Sequence, residues 1–210
     1  MRTLLSAEEA SKLAGDYFAR LANVINAGFN DYRAAVKAIN ALGIRTDLRP
    51  RTSASFIHDL IHTQVLTEFK DDRDVKVIEM DGTFVLLISG KLYLRFKKMD
   101  GHMKSSNVRT EKVDSFYKQT LTLPGIEELT CLTAGYILDA TESFIRNIYL
   151  TFQLNETVIW KIDLFGDSEQ TTMFGNTPDP INPTDGSDEP IIRVKQQDKE
   201  TKTGTDSNGG

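Results

Sequence analysis

Residues 91–98, KLYLRFKK, put cations and an aromatic on one side of a strand-like run and oily residues on the other. With a period of two, Leu92, Leu94 and Phe96 face one way, while Lys91, Tyr93, Arg95 and Lys97 face the other. Lys98, Lys104 and Arg109 carry the positive charge past the strand. Cations flanking an aromatic can neutralise phosphates and stack a base. They can equally meet carboxylates on an acidic protein partner. A solvated sheet face, or an edge strand guarded against aggregation by its lysines, would use the same residues. Tyr93, Arg95, Lys97, Lys98, Lys104 and Arg109 are therefore the candidate binding set, with phosphate and carboxylate both open as the counterpart.

A second grouping is HDLIH, where His58 and His62 stand four apart, the spacing that lets two imidazoles on one helix face share a metal ion. In the zinc-peptidase pattern H-E-x-x-H a glutamate activates water. Here Asp59 takes that place, one methylene shorter, and no recognisable third ligand follows, His102 being the remaining histidine. Two histidines beside the apolar Ile57/Ile61 stripe is the simpler structural account. A third reading takes the helix followed by a β-meander as similar to the metal-dependent nuclease core of restriction endonucleases. That core needs an acid on one strand, which Glu79 or Asp81 would supply, and an acid-x-Lys on the next. Arg95-x-Lys97 stands there instead, and two cations repel Mg²⁺ rather than hold it. No glycine-rich phosphate loop follows a strand, no Ser or Cys sits in a nucleophile elbow, and no cofactor is implied.

The charge balance sharpens the first grouping. The chain carries −5 overall, against coating nucleic acid non-specifically, yet Lys91 to Lys112 holds about +5 and leaves about −10 for the rest. Cys131 is the single cysteine, so there is no disulfide framework, and a free thiol in an apolar stretch suits a reducing compartment. Neither a signal peptide nor a run of about 20 apolar residues is present, and a cytoplasmic protein with no membrane partner is expected.

The elements that must position these residues can be read in order. Ser6 and Glu9 form a capping box ahead of a helix. Gly28 interrupts it, and a second helix from about Asp31 to Leu42 would complete a helical hairpin over residues 1–44, whose apolar stripes could also pair two copies of the chain. Residues 45–52 read as a basic linker around Pro50. Thr52 or Ser53 then caps a helix to about Phe69, with Ile57, Ile61, Val65 and Phe69 four apart. Strands VKVIEM, TFVLLIS and KLYLRFKK follow, turning at Asp81-Gly82 and Ser89-Gly90. A short helix from about Thr110 to Gln119 and an LPG loop lead to three more strands, 130–138, 145–154 and 157–164, the last two joined at Asn155-Glu156. The fold class is α+β: a helical hairpin, then a helix and a largely antiparallel sheet of about six strands in two meanders, filling a core domain over 53–165. Residues 166–210, rich in Asp, Thr, Pro, Gly and Ser, read as a disordered acidic and polar tail with one β-prone island, PIIRVK, at 190–195.

The segments "LRFKKMD", "SSN", "LPGIEELTCLTAGYILD" and "VIWKIDL" resemble an uncharacterised family of bacterial proteins sharing an LRFKK-D, an LPG, an LTxGYxLD and a closing Trp-containing strand. The resemblance spans roughly residues 51 to 164. It implies a neighbourhood of mobile elements, with a helix-turn-helix protein or a metallopeptidase encoded nearby, hence an antitoxin, regulator or phage-defence component. It brings no catalytic motif. The expectation is a non-enzymatic binding protein that acts with a co-encoded effector through its cationic strand. A nucleic-acid-binding protein or nuclease is the alternative, and a zinc-peptidase-like site at His58/His62 the third.

Overall fold

The structure, a computed structural model, describes residues 5–80, 82–108, 110–126 and 129–165. The tail from 166 onward, its 190–195 island, Asp81 and Arg109 lie outside the described residues.

Helix α1 (Ala7–Ala41) opens with the expected capping box: the Ser6 amide donates to the Glu9 carboxylate at 2.8 Å, and the Glu9 amide donates to the Ser6 hydroxyl at 3.2 Å. It then runs unbroken through Gly28, so no hairpin forms inside residues 1–44. The helical pair is instead α1 with α2 (Pro50–Phe69). Gly28 is where the two come closest: a methyl added there would meet the Ile61 backbone nitrogen at 2.7 Å. The glycine that read as a break is a crossing point. The linker ends earlier than expected, at residue 49 rather than 52, because Pro50 starts α2 at its first helical position, where a missing amide costs nothing.

The sheet is a single layer ordered β1 (Val75–Met80), β2 (Thr83–Ile88), β3 (Leu92–Lys98), β4 (Thr130–Leu138), β5 (Ile145–Leu154) and β6 (Thr157–Asp163). Each meander is antiparallel. They join through one parallel pair, β3 with β4, because the chain crosses over through α3 (Glu111–Tyr117) before returning. Turns at Ser89-Gly90 and Asn155-Glu156 have positive φ at both residues, the mirror-image turn that matches strand twist.

One face of the sheet packs under α1 and α2. Leu86, Leu94, Leu132 and Leu150 meet Leu21, Ile25, Ile57 and Ile61 in one apolar cluster, so α1 is built into the same core as the sheet rather than standing apart from a 53–165 domain. This uses most of α1's stripe within the chain; Leu42 and Ile44 beyond its end stay exposed. Arg20 clips the pair, donating to Glu68 at 2.7 Å and Asp72 at 2.6 Å while lying 4.3 Å from the Phe69 ring centre. The other face carries a second cluster: Val85, Leu87, Tyr93 and Cys131 under Phe116 and Tyr117 of α3, flanked by Leu121, Leu123 and Ile126. Among the described residues no helix is long and apolar enough to cross a membrane.

Candidate functional site

The site begins with a place where the sheet opens. The β2–β3 ladder ends at Leu86↔Leu94. Beyond that point β2 stays paired to β1 as far as Thr83, and β3 stays paired to β4 as far as Lys98↔Tyr136. The two strands therefore part company, and a cleft of ≈ 1470 Å³ lies at the opening. Ala54 and His58 from α2 line it on one side, and Asn107 and Phe116, from the loop after β3 and from α3, on the other.

Arg95 and Lys97 point into this cleft from the same face of β3. Arg95 is half-buried and held firmly. Its guanidinium lies 4.2 Å from the Phe116 ring centre, and its Nη2 donates to Asn107 Oδ1 at 3.0 Å. The Asn107 amide is itself oriented, donating to the Ser105 hydroxyl at 2.9 Å and the Tyr117 hydroxyl at 2.8 Å. Burial lowers Arg95's proton affinity from the ordinary arginine value, though a guanidinium stays charged at any working pH. Lys97, also half-buried, is pushed below the usual lysine value first by burial and then by Arg95 beside it. Among the described residues no carboxylate is close enough to offset either shift. His58, at the α2 wall, is lowered by burial and then by the charge of Lys97, with Asp59 pulling the other way.

The remaining residues of the expected binding set are distributed differently. Tyr93 is not on an open face: it is 1% exposed, walled in by α3, because β3 is a central strand covered on both sides. Lys98 turns to the opposite face and is paired with Glu142 at 2.5 Å. Lys104 is exposed on the rim, in a loop closed by Asp100, whose carboxylate accepts from the His102 and Lys104 amides at 2.9 Å each. The expected flat cationic surface is thus a recessed pair, Arg95 and Lys97, with Lys104 at its edge. The residues that fix Arg95, namely Ser105, Asn107, Phe116 and Tyr117, carry no spacing that would have marked them in advance.

The histidines lie close together without making a metal site. Both rings lie against Phe84, His58 tilted at 4.7 Å and His62 stacked at 4.4 Å between centres. His62 Nε2 lies 3.2 Å from Glu79 Oε1 but is misaligned for a hydrogen bond and has no other partner among the described residues. Among the described residues no three His, Cys, Asp or Glu side chains are grouped to hold a metal. Among the described residues the nuclease constellation is not assembled either. Glu79 pairs across to Phe84 on the face turned toward α2, whereas Arg95 stacks on Phe116 beneath the opposite face. Beside Arg95 and Lys97 the described residues offer no nucleophile with an oriented base. The arrangement can bind an anion.

Comparison with known protein families, curated proteins and solved structures finds no match to this chain.

Proposed function

We propose that this is a non-enzymatic binding and regulatory protein whose cleft receives an acidic segment of a protein partner. The observation that carries the reading is the Arg95–Lys97 pair, two half-buried cations with no carboxylate partner among the described residues. Leaving one buried charge uncompensated is costly, and Arg95 is held in place by Phe116 and Asn107 rather than by an acid among the described residues. The recess also argues about shape. A segment that enters the cleft reaches both cations, whereas a broad flat surface would meet Lys104 at the rim first. The bacterial family resembled by LRFKKMD and LTAGYILD supplies the setting, an antitoxin- or phage-defence-like component working in the cytoplasm with a co-encoded effector.

The test is charge reversal at positions that do not hold the fold together. Arg95 is unsuitable, because its stacking on Phe116 is part of the α3 packing. Lys97→Glu with Lys104→Glu leaves that contact alone. The wild-type protein, co-expressed with its genomic neighbours, is expected to retain a partner on affinity purification that the double variant loses at unchanged thermal stability. Equal retention by both overturns the reading. A shift of labelled DNA or RNA that weakens steeply with salt, and that the double variant loses, would transfer the cleft to the nucleic-acid alternative.

A further inference from the structure

Arg95 and Lys97 stand two residues apart on one strand face, roughly 7 Å between their Cα atoms at the strand's rise per residue. That spacing lets a planar guanidinium fork and a single ammonium converge on one group from adjacent positions. Among the described residues Asn107 takes one Arg95 N–H donor and Phe116 takes one face of the guanidinium, which leaves the rest of the fork available. Lys97 has neither a hydrogen bond nor an ion pair among the described residues.

The charge on the occupant follows from balance. One carboxylate carries a single negative charge and would leave the second half-buried cation uncompensated. A phosphate monoester carries about −1.5 to −2 at neutral pH, on three oxygens that accept from an arginine fork and a lysine together. The cleft, at ≈ 1470 Å³, is larger than the roughly 300–1,000 Å³ of ordinary small-molecule sites, so the phosphate seat leaves room for the body of a ligand. We propose that Arg95 and Lys97 form the seat for the phosphate of a small phosphate monoester, which competes with the partner's acidic segment for the cleft. This rests on reading the cleft as the recognition site, and it adds a regulator to it.

The experiment titrates the full chain with phenyl phosphate, and separately with phenyl sulfate, of the same shape but one charge fewer. Both are followed by calorimetry at constant ionic strength and slightly alkaline pH. Phenyl phosphate is expected to bind saturably with a Kd on the order of 1 mM, ordinary for a fragment of its size. Phenyl sulfate should bind at least about tenfold more weakly, the size of a modest charge-pair contribution. Lys97→Met, which removes one charge and keeps the aliphatic stem, should abolish the difference between the two ligands while unfolding at the wild-type temperature. No saturable binding of phenyl phosphate, equal affinity for the two ligands, or undiminished discrimination in Lys97→Met would each overturn the proposal. These outcomes are independent of partner capture: the titration can fail while Lys97→Glu/Lys104→Glu still loses the partner, and the reverse.

Discussion

Replacing Gly28 by alanine should destabilise the protein, although alanine is the better helix former. In an exposed helix interior Gly→Ala gains about 1 kcal/mol. At Gly28 the new methyl would lie 2.7 Å from the Ile61 nitrogen and 2.8 Å from its Cα. Comfortable carbon contacts begin near 3.5 Å, so the helices would have to separate by roughly 0.7 Å. The obstruction is backbone of α2, which cannot rotate away as a side chain can. Overpacking costs about 1–3 kcal/mol, and a rigid obstacle belongs in the upper half of that range. Subtracting the propensity gain leaves a net loss of about 1–2 kcal/mol, a drop in Tm of roughly 2–8 °C for a domain of this size. Gly15 is the internal control, since it lies on the same helix with nothing within 4 Å of the added methyl. Gly15→Ala should therefore stabilise by about 0.5–1 kcal/mol. Urea unfolding of both variants, read at equal m-value, gives the comparison. If Gly28→Ala proves as stable as wild type, α1 and α2 do not approach as described and the crossing-point argument is wrong.

Gln119 and Asp139 give two further tests. Gln119 is buried, its amide donating to the Cys131 and Gln153 carbonyls at 3.0 Å each while its oxygen accepts from the Cys131 amide at 2.8 Å. It thereby bridges β4 and β5 just beyond the end of their ladder at Leu132↔Phe152. Gln119→Ala keeps the backbone strain at φ 57° and strands those groups, so chemical denaturation should show a loss of about 2–4 kcal/mol; a loss under about 1 kcal/mol would mean water replaces the side chain. Burial opposes ionisation of Asp139, but hydrogen bonds from the Thr141 hydroxyl and the Phe144, Thr141 and Ser143 amides outweigh it and hold the carboxyl at about 2, from an ordinary 3.8. Because the folded value lies below the unfolded one, the contribution is complete above about pH 4 and is lost as pH falls toward 2. The stability gap between wild type and Asp139→Asn, measured from pH 7 down to 2, should narrow across that interval, and a constant gap would refute the assignment.

The elements themselves were legible because each carries its own local signal. The capping box at Ser6, the positive-φ turns, the four-residue stripe of α2 and the alternation of β3 depend on neighbours within a few positions, and all reappear in the fold. Gly28 was misread because sequence spacing registers the loss of helix propensity without showing what the missing side chain makes room for. That information sits on Ile61, 33 residues away. Tyr93 was misread for a related reason. Period two correctly separates the two faces of β3, but whether the second face meets water depends on where α3 returns, and the crossover that puts Phe116 and Tyr117 over it leaves no mark on the strand.

The cleft is the feature least accessible to any local reading. Nothing in TFVLLIS or KLYLRFKK signals that their pairing should stop at Leu86↔Leu94, since both runs remain strand-like beyond it. The stop is a compromise among partners. Thr83 to Val85 stay with β1, Arg95 to Lys98 stay with β4, and Phe84 and Phe96, stacked 5.2 Å apart, fill the helical side of the gap. On the other side Arg95 lies against Phe116 rather than against β2. A sheet that had zipped fully would have spread Arg95 and Lys97 along a covered strand, each requiring an internal acid. The opening removes that requirement by giving the two cations a shared, half-dry recess, so the interruption of the ladder and the absence of a carboxylate beside them among the described residues are two consequences of one arrangement.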